Sequence, residues 1–438
     1  RGRQLAMVGA LCATAAITAF SAVPSSGAAV RAPRTTGVSA HQIVLGTTTP
    51  LTGPAAPGYD EIAPATNAVF KFVNSQGGVY GRKIKYIIED DGYDPTITVQ
   101  KTRELVQSDH IFADVGPLGT PTQLAVQGYL NGLHIPQVFI ESGCACWNAK
   151  KYPYSFGWQP NYIVEGKILG QFVAHHYPRA KIGYLYQDDE FGQDGVKGLD
   201  QEIRHQNVVS RQTYAGTSQG LAAGLGNQIG AIKAAHAAVV VLYTIPAATT
   251  LALLAAAELS YHPQWIVSSV GADPPTLKGL LSSFSKGKAG GALLNGMISN
   301  DYLPAETRNS NPWNRLGKAI LHRYDRGARW DGNSEYGIGL GICAVEALQD
   351  AGRHLTRGSF VKALETQGRH FANPGLVPLT YSRTDHYGFS GSEILRTTNN
   401  GNTIDAITPV YVTSSSGRIG IYKGGTDKIP ALFAKALR

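Results

Sequence analysis

The 438-residue chain is poor in methionine, with two, in cysteine, with four, and in charge, with 16% Asp, Glu, Lys and Arg. Low charge beside 43% apolar residues excludes a disordered chain and leaves a globular one. Beyond residue 29 no apolar run approaches the roughly 18 residues that a membrane-spanning helix needs. Basic clusters are missing too. Lys and Arg exceed Asp and Glu by 39 to 31, a formal charge of +8, yet they are scattered, with no run beyond Arg1 and Arg3. That excludes the electrostatic footprint of a nucleic-acid binder and leaves solvated surface charge. There is no HExxH and no paired-carboxylate constellation, and Cys144 and Cys146 lack the second Cys or His pair that a zinc site requires. Neither a metal nor a cofactor is expected.

At the front, Arg1 and Arg3 precede an apolar stretch over 5–20 and small residues over 21–29, the layout of a secretory signal. The expectation is a signal peptide over 1–29, a linker over 30–40 and an exported, extracytoplasmic fold beyond it. Cys12 follows Leu11, where a lipid-anchor cysteine would follow a small residue, so no anchor is predicted. An oxidising compartment permits Cys144 and Cys146 to pair, and with Cys343 the odd count leaves one thiol free. Two residues apart in an extended loop, their Cα atoms would sit near the upper limit for a disulfide. The bond therefore demands a bent loop beside Ser142.

The length suits two or three domains. Strands are predicted over 43–47, 84–89, 111–115, 136–140, 181–187, 208–214, 238–243, 264–268 and 293–299. Between them Ala65, Ala68, Val69, Phe72 and Val73 repeat at helical spacing, as do Val196, Leu199 and Ile203, and Leu221, Leu225, Ile229 and Ile232. Such alternation, with near-continuous apolar strands, predicts an α/β fold of parallel sheets covered on both faces. The Tyr-, Pro- and Trp-rich stretch 151–161 interrupts it after four units and divides the strands between two sheets. Helices over 313–324, 334–352 and 356–365 follow, then a β-like tail from Pro378 able to return to an earlier lobe. The expected layout is a first lobe from 41–157 and 302–378, and a second from 158–301 and 379–438, the tail included.

Several loops carry chemistry. Leu51-Thr52-Gly53-Pro54 follows the first strand, where open α/β sheets bind ligands, although alone it is only a turn. Glu89-Asp90-Asp91 with Asp94-Pro95 has the acidity of a metal loop without its ligand spacing, and Asp94 before Pro95 reads as a helix cap. Gly116-Pro117-Leu118-Gly119-Thr120-Pro121-Thr122 opens a helix with free N–H groups and two hydroxyls, an anion site without a P-loop's Lys. Gly216-Thr217-Ser218-Gln219-Gly220 matches the GxSxG elbow of serine hydrolases, but its strand is polar and its Asp and His candidates (Asp273, His322, Asp385, His386) lack context. Gly337-Ile338-Gly339-Leu340-Gly341 mimics a dinucleotide fingerprint but continues as a packed helix.

In their order, residues 43–54 (IVLGTTTPLTGP), 77–84 (GGVYGRKI), Glu89-Asp90-Asp91 with Pro95, 155–160 (SFGWQP) and 185–192 (LYQDDEFG) make the chain resemble the leucine/isoleucine/valine-binding proteins of ABC importers. The resemblance spans nearly all of 41–400. It implies the type I periplasmic-binding fold: two Rossmann-like lobes joined by three crossovers, with the ligand in the cleft between them. It implies a carboxylate site at Gly119, Thr120 and Thr122 with Ser142 and Gly143. It places Phe191, Tyr243 and Thr244 in the second lobe over the ligand, Tyr59 as a further cleft aromatic, and Trp158 at the first crossover. Where the family's amino-acid binders carry an acidic residue for the ammonium, Ser269 stands here.

The function expected is a monomeric solute-binding protein, not an enzyme, that hands a small polar or carboxylate-bearing molecule to a membrane permease. A secreted serine hydrolase using Ser218 is the alternative. With Ser269 neutral, an acid or amide is favoured over leucine, isoleucine or valine, because a buried unpaired ammonium costs several kcal/mol. Glu141 reverses that preference if it turns inward.

Overall fold

The computed structural model describes residues 35–425 and 427–438; the expected signal peptide and the start of the linker lie outside them. The first sheet comprises β1 (Gln42–Thr49), β2 (Lys83–Asp90), β3 (Ala113–Val115), β4 (Gln137–Ile140) and β5 (Ser155–Gly157). All are parallel, in the order β2-β1-β3-β4-β5. The second contains β6 (Ile182–Gln187), β7 (Val208–Tyr214), β8 (Val239–Tyr243), β9 (Gln264–Val267), β10 (Ile298–Asp301), β11 (Gly391–Thr398), β12 (Thr403–Ala406), β13 (Tyr411–Val412) and β14 (Gly420–Ile421). Its order is β14-β13-β11-β10-β9-β8-β6-β7, with β12 also on β11. From β10 to β7 the strands are parallel; β11 to β14 run antiparallel, so the second sheet is mixed where parallel sheets were expected.

Burial follows the sequence closely. β8 reads Val-Val-Val-Leu-Tyr with every residue buried, and each of its aliphatic side chains stabilises by about 1.5–3 kcal/mol on leaving water. β7 is polar and half-buried because it forms the sheet edge. Helix Ile62–Ser75 packs against helix Gly332–Asp350, and the Gly337-Ile-Gly-Leu-Gly341 run allows it. A Cβ at Gly337 would lie 2.2 Å from Ile62 O, and Thr66 Oγ1 donates to Gly337 O at 2.9 Å. Asp94 caps its helix through Thr96 N at 2.7 Å, as expected. The helical stripe over 221–232 is broken into Ser218–Ala222 and Gly226–Ala234, with Gly224 at φ 71° between them.

Chain segments pass between the sheets after β5, after β10 and before β11. One aromatic cluster gathers these passages: Trp158 meets Phe389 edge-on at 5.1 Å, and Phe389 stacks on Tyr302 at 5.4 Å. The last passage leans further on the first lobe than the boundary at 378/379 suggests, since Tyr381 packs on Phe156 and donates to Gly157 O at 2.5 Å. The tail also ends on that lobe, with Phe433 6.0 Å from Phe72.

Candidate functional site

The carboxyl ends of both sheets face each other, and the loops leaving β1 to β6, β8, β9 and β10 enclose a cavity of about 100 Å³. Topology places a site here, since these ends carry the crevice of open α/β sheets.

Five of the residues singled out from sequence line it: Tyr59, Gly119, Thr120, Phe191 and Ser269. The β3 loop turns sharply at Gly119, with φ +106°, to start helix Thr120–Gly132 over the cavity. Here glycine is required, because a Cβ would lie 2.4 Å from Thr122 Oγ1 and 2.7 Å from the Tyr93 ring. The other six form the layer behind. Ser142 Oγ sits 2.7 Å from Thr120 Oγ1, and Thr122 Oγ1 donates to Leu118 O at 2.6 Å. Gly143 accepts from Tyr162 N at 2.7 Å, Thr244 Oγ1 pairs with Thr249 Oγ1 at 2.6 Å, and Tyr243 backs the Phe191 ring at 5.8 Å. Trp158 belongs to the crossover cluster, 6.1 Å from the cavity residue Tyr336.

Cys144 and Cys146 are disulfide-bonded with Cα atoms 5.1 Å apart, so the loop is bent as the bond requires, and Cys343 is buried and free. Between the bonded pair, Ala145 is held from two sides. Its N–H donates to Asp194 Oδ2 in the second lobe at 2.8 Å, and its carbonyl accepts from Tyr387 Oη at 2.9 Å. Further bonds span the cleft, among them Tyr59 Oη to Val270 O at 2.5 Å, Gln187 Nε2 to Tyr93 Oη at 3.2 Å and Asn333 Nδ2 to Thr276 Oγ1 at 3.2 Å. The lobes are therefore closed on each other.

Ser269 does not stand beside a neutral wall. Its N–H donates to Glu165 Oε1 at 2.7 Å and to Asn300 Oδ1 at 3.2 Å. Glu141 lines the cavity, 6% exposed, and its Oε2 has no partner among the described residues. Asp273, Asp301, Glu306 and Glu335 line it as well, and no Lys, Arg or His does. Burial is the main cause that raises each of these carboxyls: Asp273 to about 6, Asp301 to about 7, Glu306 to about 8, Glu141 and Glu335 well above the usual range. Repulsion from neighbouring acids adds to it at all but Glu141, from Asp331 in the case of Asp273.

Sequence reasoning passed over Asp301, Glu306, Glu335 and Tyr93, and raised Asp273 only as an acid for the hydrolase alternative. Asp301 ends β10, a carboxyl-end position that could have marked it; Glu306 and Glu335 carry no local signal. Tyr93 was hidden in the acidic loop, whose Asp90 holds the N–H groups of Leu51 and Thr52 at 3.0 and 3.1 Å, a structural task and not a metal site. Among the described residues no group of three His, Cys, Asp or Glu could hold a metal ion, and no helix is long and apolar enough to cross a membrane. The hydrolase alternative finds no support: Ser218 starts a short exposed helix after an edge strand, away from the cavity, and none of the described hydrogen bonds joins it to a histidine.

Two α/β lobes closed over a polar cavity define a ligand-binding protein of the type I periplasmic-binding fold. The chain belongs to the periplasmic binding protein family, whose model matches residues 42–402. Members of this family are extracytoplasmic substrate-binding proteins that take small molecules and work with ABC-transporter permeases. Among similar curated proteins, the Leu/Ile/Val-binding protein homolog 7 of Brucella abortus is 23% identical over 242 residues, 52% of this chain and 59% of the relative. Homolog 1 of that species is 27% identical over 38% of this chain and 45% of its own. The alignments thus span only about half of the curated relatives. Three solved structures share the fold. A possible leucine/isoleucine/valine-binding protein from Rhodopirellula baltica has a TM-score of 0.71 at 22% identity, covering 84% of this chain and 97% of its own. A fatty acid ABC transporter substrate-binding protein from Thermomonospora curvata has 0.75 at 19%, covering 87% and 95%. A branched chain amino acid ABC transporter protein from Thermus thermophilus with bound valine has 0.71 at 19%, covering 90% and 99%.

Proposed function

We propose that this protein captures a small amino-acid-like molecule outside the cytoplasmic membrane and delivers it to the permease of an ABC importer. The observation that carries this reading is the closed cavity lined from both lobes, with hydroxyls and helix-start N–H groups at Thr120 on one wall and the unpartnered Glu141 carboxylate facing the same space. The first suits a carboxylate. The second suits an ammonium and turns the preference away from the des-amino acids that Ser269 suggests.

Gly119, Thr120, Tyr59, Phe191 and Ser269 would touch the ligand, with Ser142 orienting the Thr120 hydroxyl. Phe191 and Tyr59 would supply apolar walls. Mass spectrometry of small molecules retained by the native protein, with X-ray scattering before and after their removal, tests the reading. Retention of a zwitterion, and expansion when it is lost, is the expected result. A protein that retains nothing, binds no amino acid and never changes its dimensions would overturn it.

A further inference from the structure

The cavity holds more carboxyl groups than one ammonium requires. Besides Glu141, four carboxylates on the second-lobe loops and the neighbouring helices face it, from Asp273, Asp301, Glu306 and Glu335. Asp273 is engaged at both oxygens, Oδ1 by Gly332 N at 3.3 Å and Oδ2 by Thr276 N at 2.9 Å, whereas the other three keep an oxygen free. Asp301 Oδ1 accepts from the N–H groups of Tyr302 and Leu303 at 2.7 and 3.0 Å, which fixes the side chain and spares its other oxygen. Glu306 Oε1 and Glu335 Oε1 have no partner among the described residues, although these side chains are only 8% and 2% exposed.

The cations nearby are engaged elsewhere. Arg308 pairs with Glu393 at 2.9 Å, Arg329 with Glu61 at 3.2 Å, and Lys318 donates to Asn309 Oδ1. Buried acceptors without donors are costly, and sites that carry them are completed by what they bind. The contrast with the rest of the molecule sharpens the point, since the chain as a whole carries a formal +8.

We infer that the ligand carries a second cationic group, an amine or guanidinium, seated among Asp301, Glu306 and Glu335. The inference rests on the reading that the ligand occupies this cavity. The spacing excludes a metal ion as the occupant, because among the described residues no three of these side chains converge closely enough to ligate one. An ammonium or guanidinium needs no such convergence: it donates in several directions to acceptors spread over several ångströms. Tyr302 and Tyr336 line the same cavity.

Calorimetry at pH 8 with L-lysine, L-arginine and norleucine tests the inference, norleucine being lysine without its ε-ammonium. Lysine or arginine is expected to bind at least tenfold more tightly than norleucine. Glu335→Gln and Asp301→Asn should shrink that margin, costing lysine and arginine far more affinity than norleucine; equal loss for all three probes would show a merely structural role. Norleucine binding as tightly as both basic amino acids would overturn the second cationic group and leave the binding-protein reading intact. If none of the probes binds, the molecule retained by the native protein decides: one with two cationic groups upholds the inference and any other refutes it. Retention of nothing, with no change in dimensions, would instead sink the reading of the cleft itself.

Discussion

Replacing Glu306 by Gln probes the electrostatics of the cavity at nearly constant shape. The carboxyl is buried, and Asp273, Asp301 and Asp331 face it, with Glu335 beside it and the Arg308 and Lys318 cations engaged elsewhere. Burial first, and those acids second, raise it from 4.5 to about 8. A carboxyl raised by folding stabilises the native state fully below its unfolded value. That contribution is lost as pH rises toward the folded value, because the unfolded chain gives up its proton first. Over the interval from 4.5 to pH 7, at about 1.4 kcal/mol per pH unit, this one group removes about 3 kcal/mol from the ligand-free protein. Gln cannot ionise. Glu306→Gln is therefore expected to match the wild type near pH 4.5, or to fall below it by the cost of an unpaired amide, and to gain about 3 kcal/mol on it between pH 4.5 and pH 7.5. Urea denaturation at both pH values, with the slopes compared, measures the difference. No gain between the two pH values would refute the reasoning.

Gly119→Ala forces a side chain onto a +106° backbone against Tyr93 and is expected to cost about 1–3 kcal/mol and to abolish ligand-induced thermal stabilisation; wild-type melting with intact stabilisation would contradict it. Asp194→Ala removes the acceptor for Ala145 N, so ligand affinity should fall about tenfold, the worth of one charge-assisted hydrogen bond, and unchanged affinity by calorimetry would show that this bond is idle in closure. Denaturing, non-reducing thiol titration of protein starting after residue 29 should find one thiol, Cys343, and three would exclude the Cys144–Cys146 bond. Ser218→Ala should leave affinity untouched, and covalent labelling of the wild type by a fluorophosphonate would revive the hydrolase reading.

The fold was readable because its central strands are nearly unbroken apolar runs and its helices carry regular stripes, as β8 and helix Ile62–Ser75 do. β5 escaped because three residues, Ser-Phe-Gly, inside an aromatic stretch have no period to read. The break at Gly224 was invisible to a pattern that counts only apolar spacing. For the site, loops that follow a strand directly, such as Gly119-Thr120, were legible from connectivity alone. The acids were not. Asp301, Glu306 and Glu335 look singly like solvated surface charge, and only the chain's return through the second crossover carries them into a common buried space.

The meeting of Trp158, Tyr302 and Phe389 bears on how occupancy is signalled. Three independent connectors could twist, slide or bend separately. Locked into one interdigitated knot, they leave the halves a single easy coordinate, an opening swing of the kind a pair of tongs allows, because interiors packed at such density favour discrete arrangements over graded deformation. A permease touching only the outer rim would then read one bit, jaws apart or jaws together, with no need to sense the chemistry of the cargo inside.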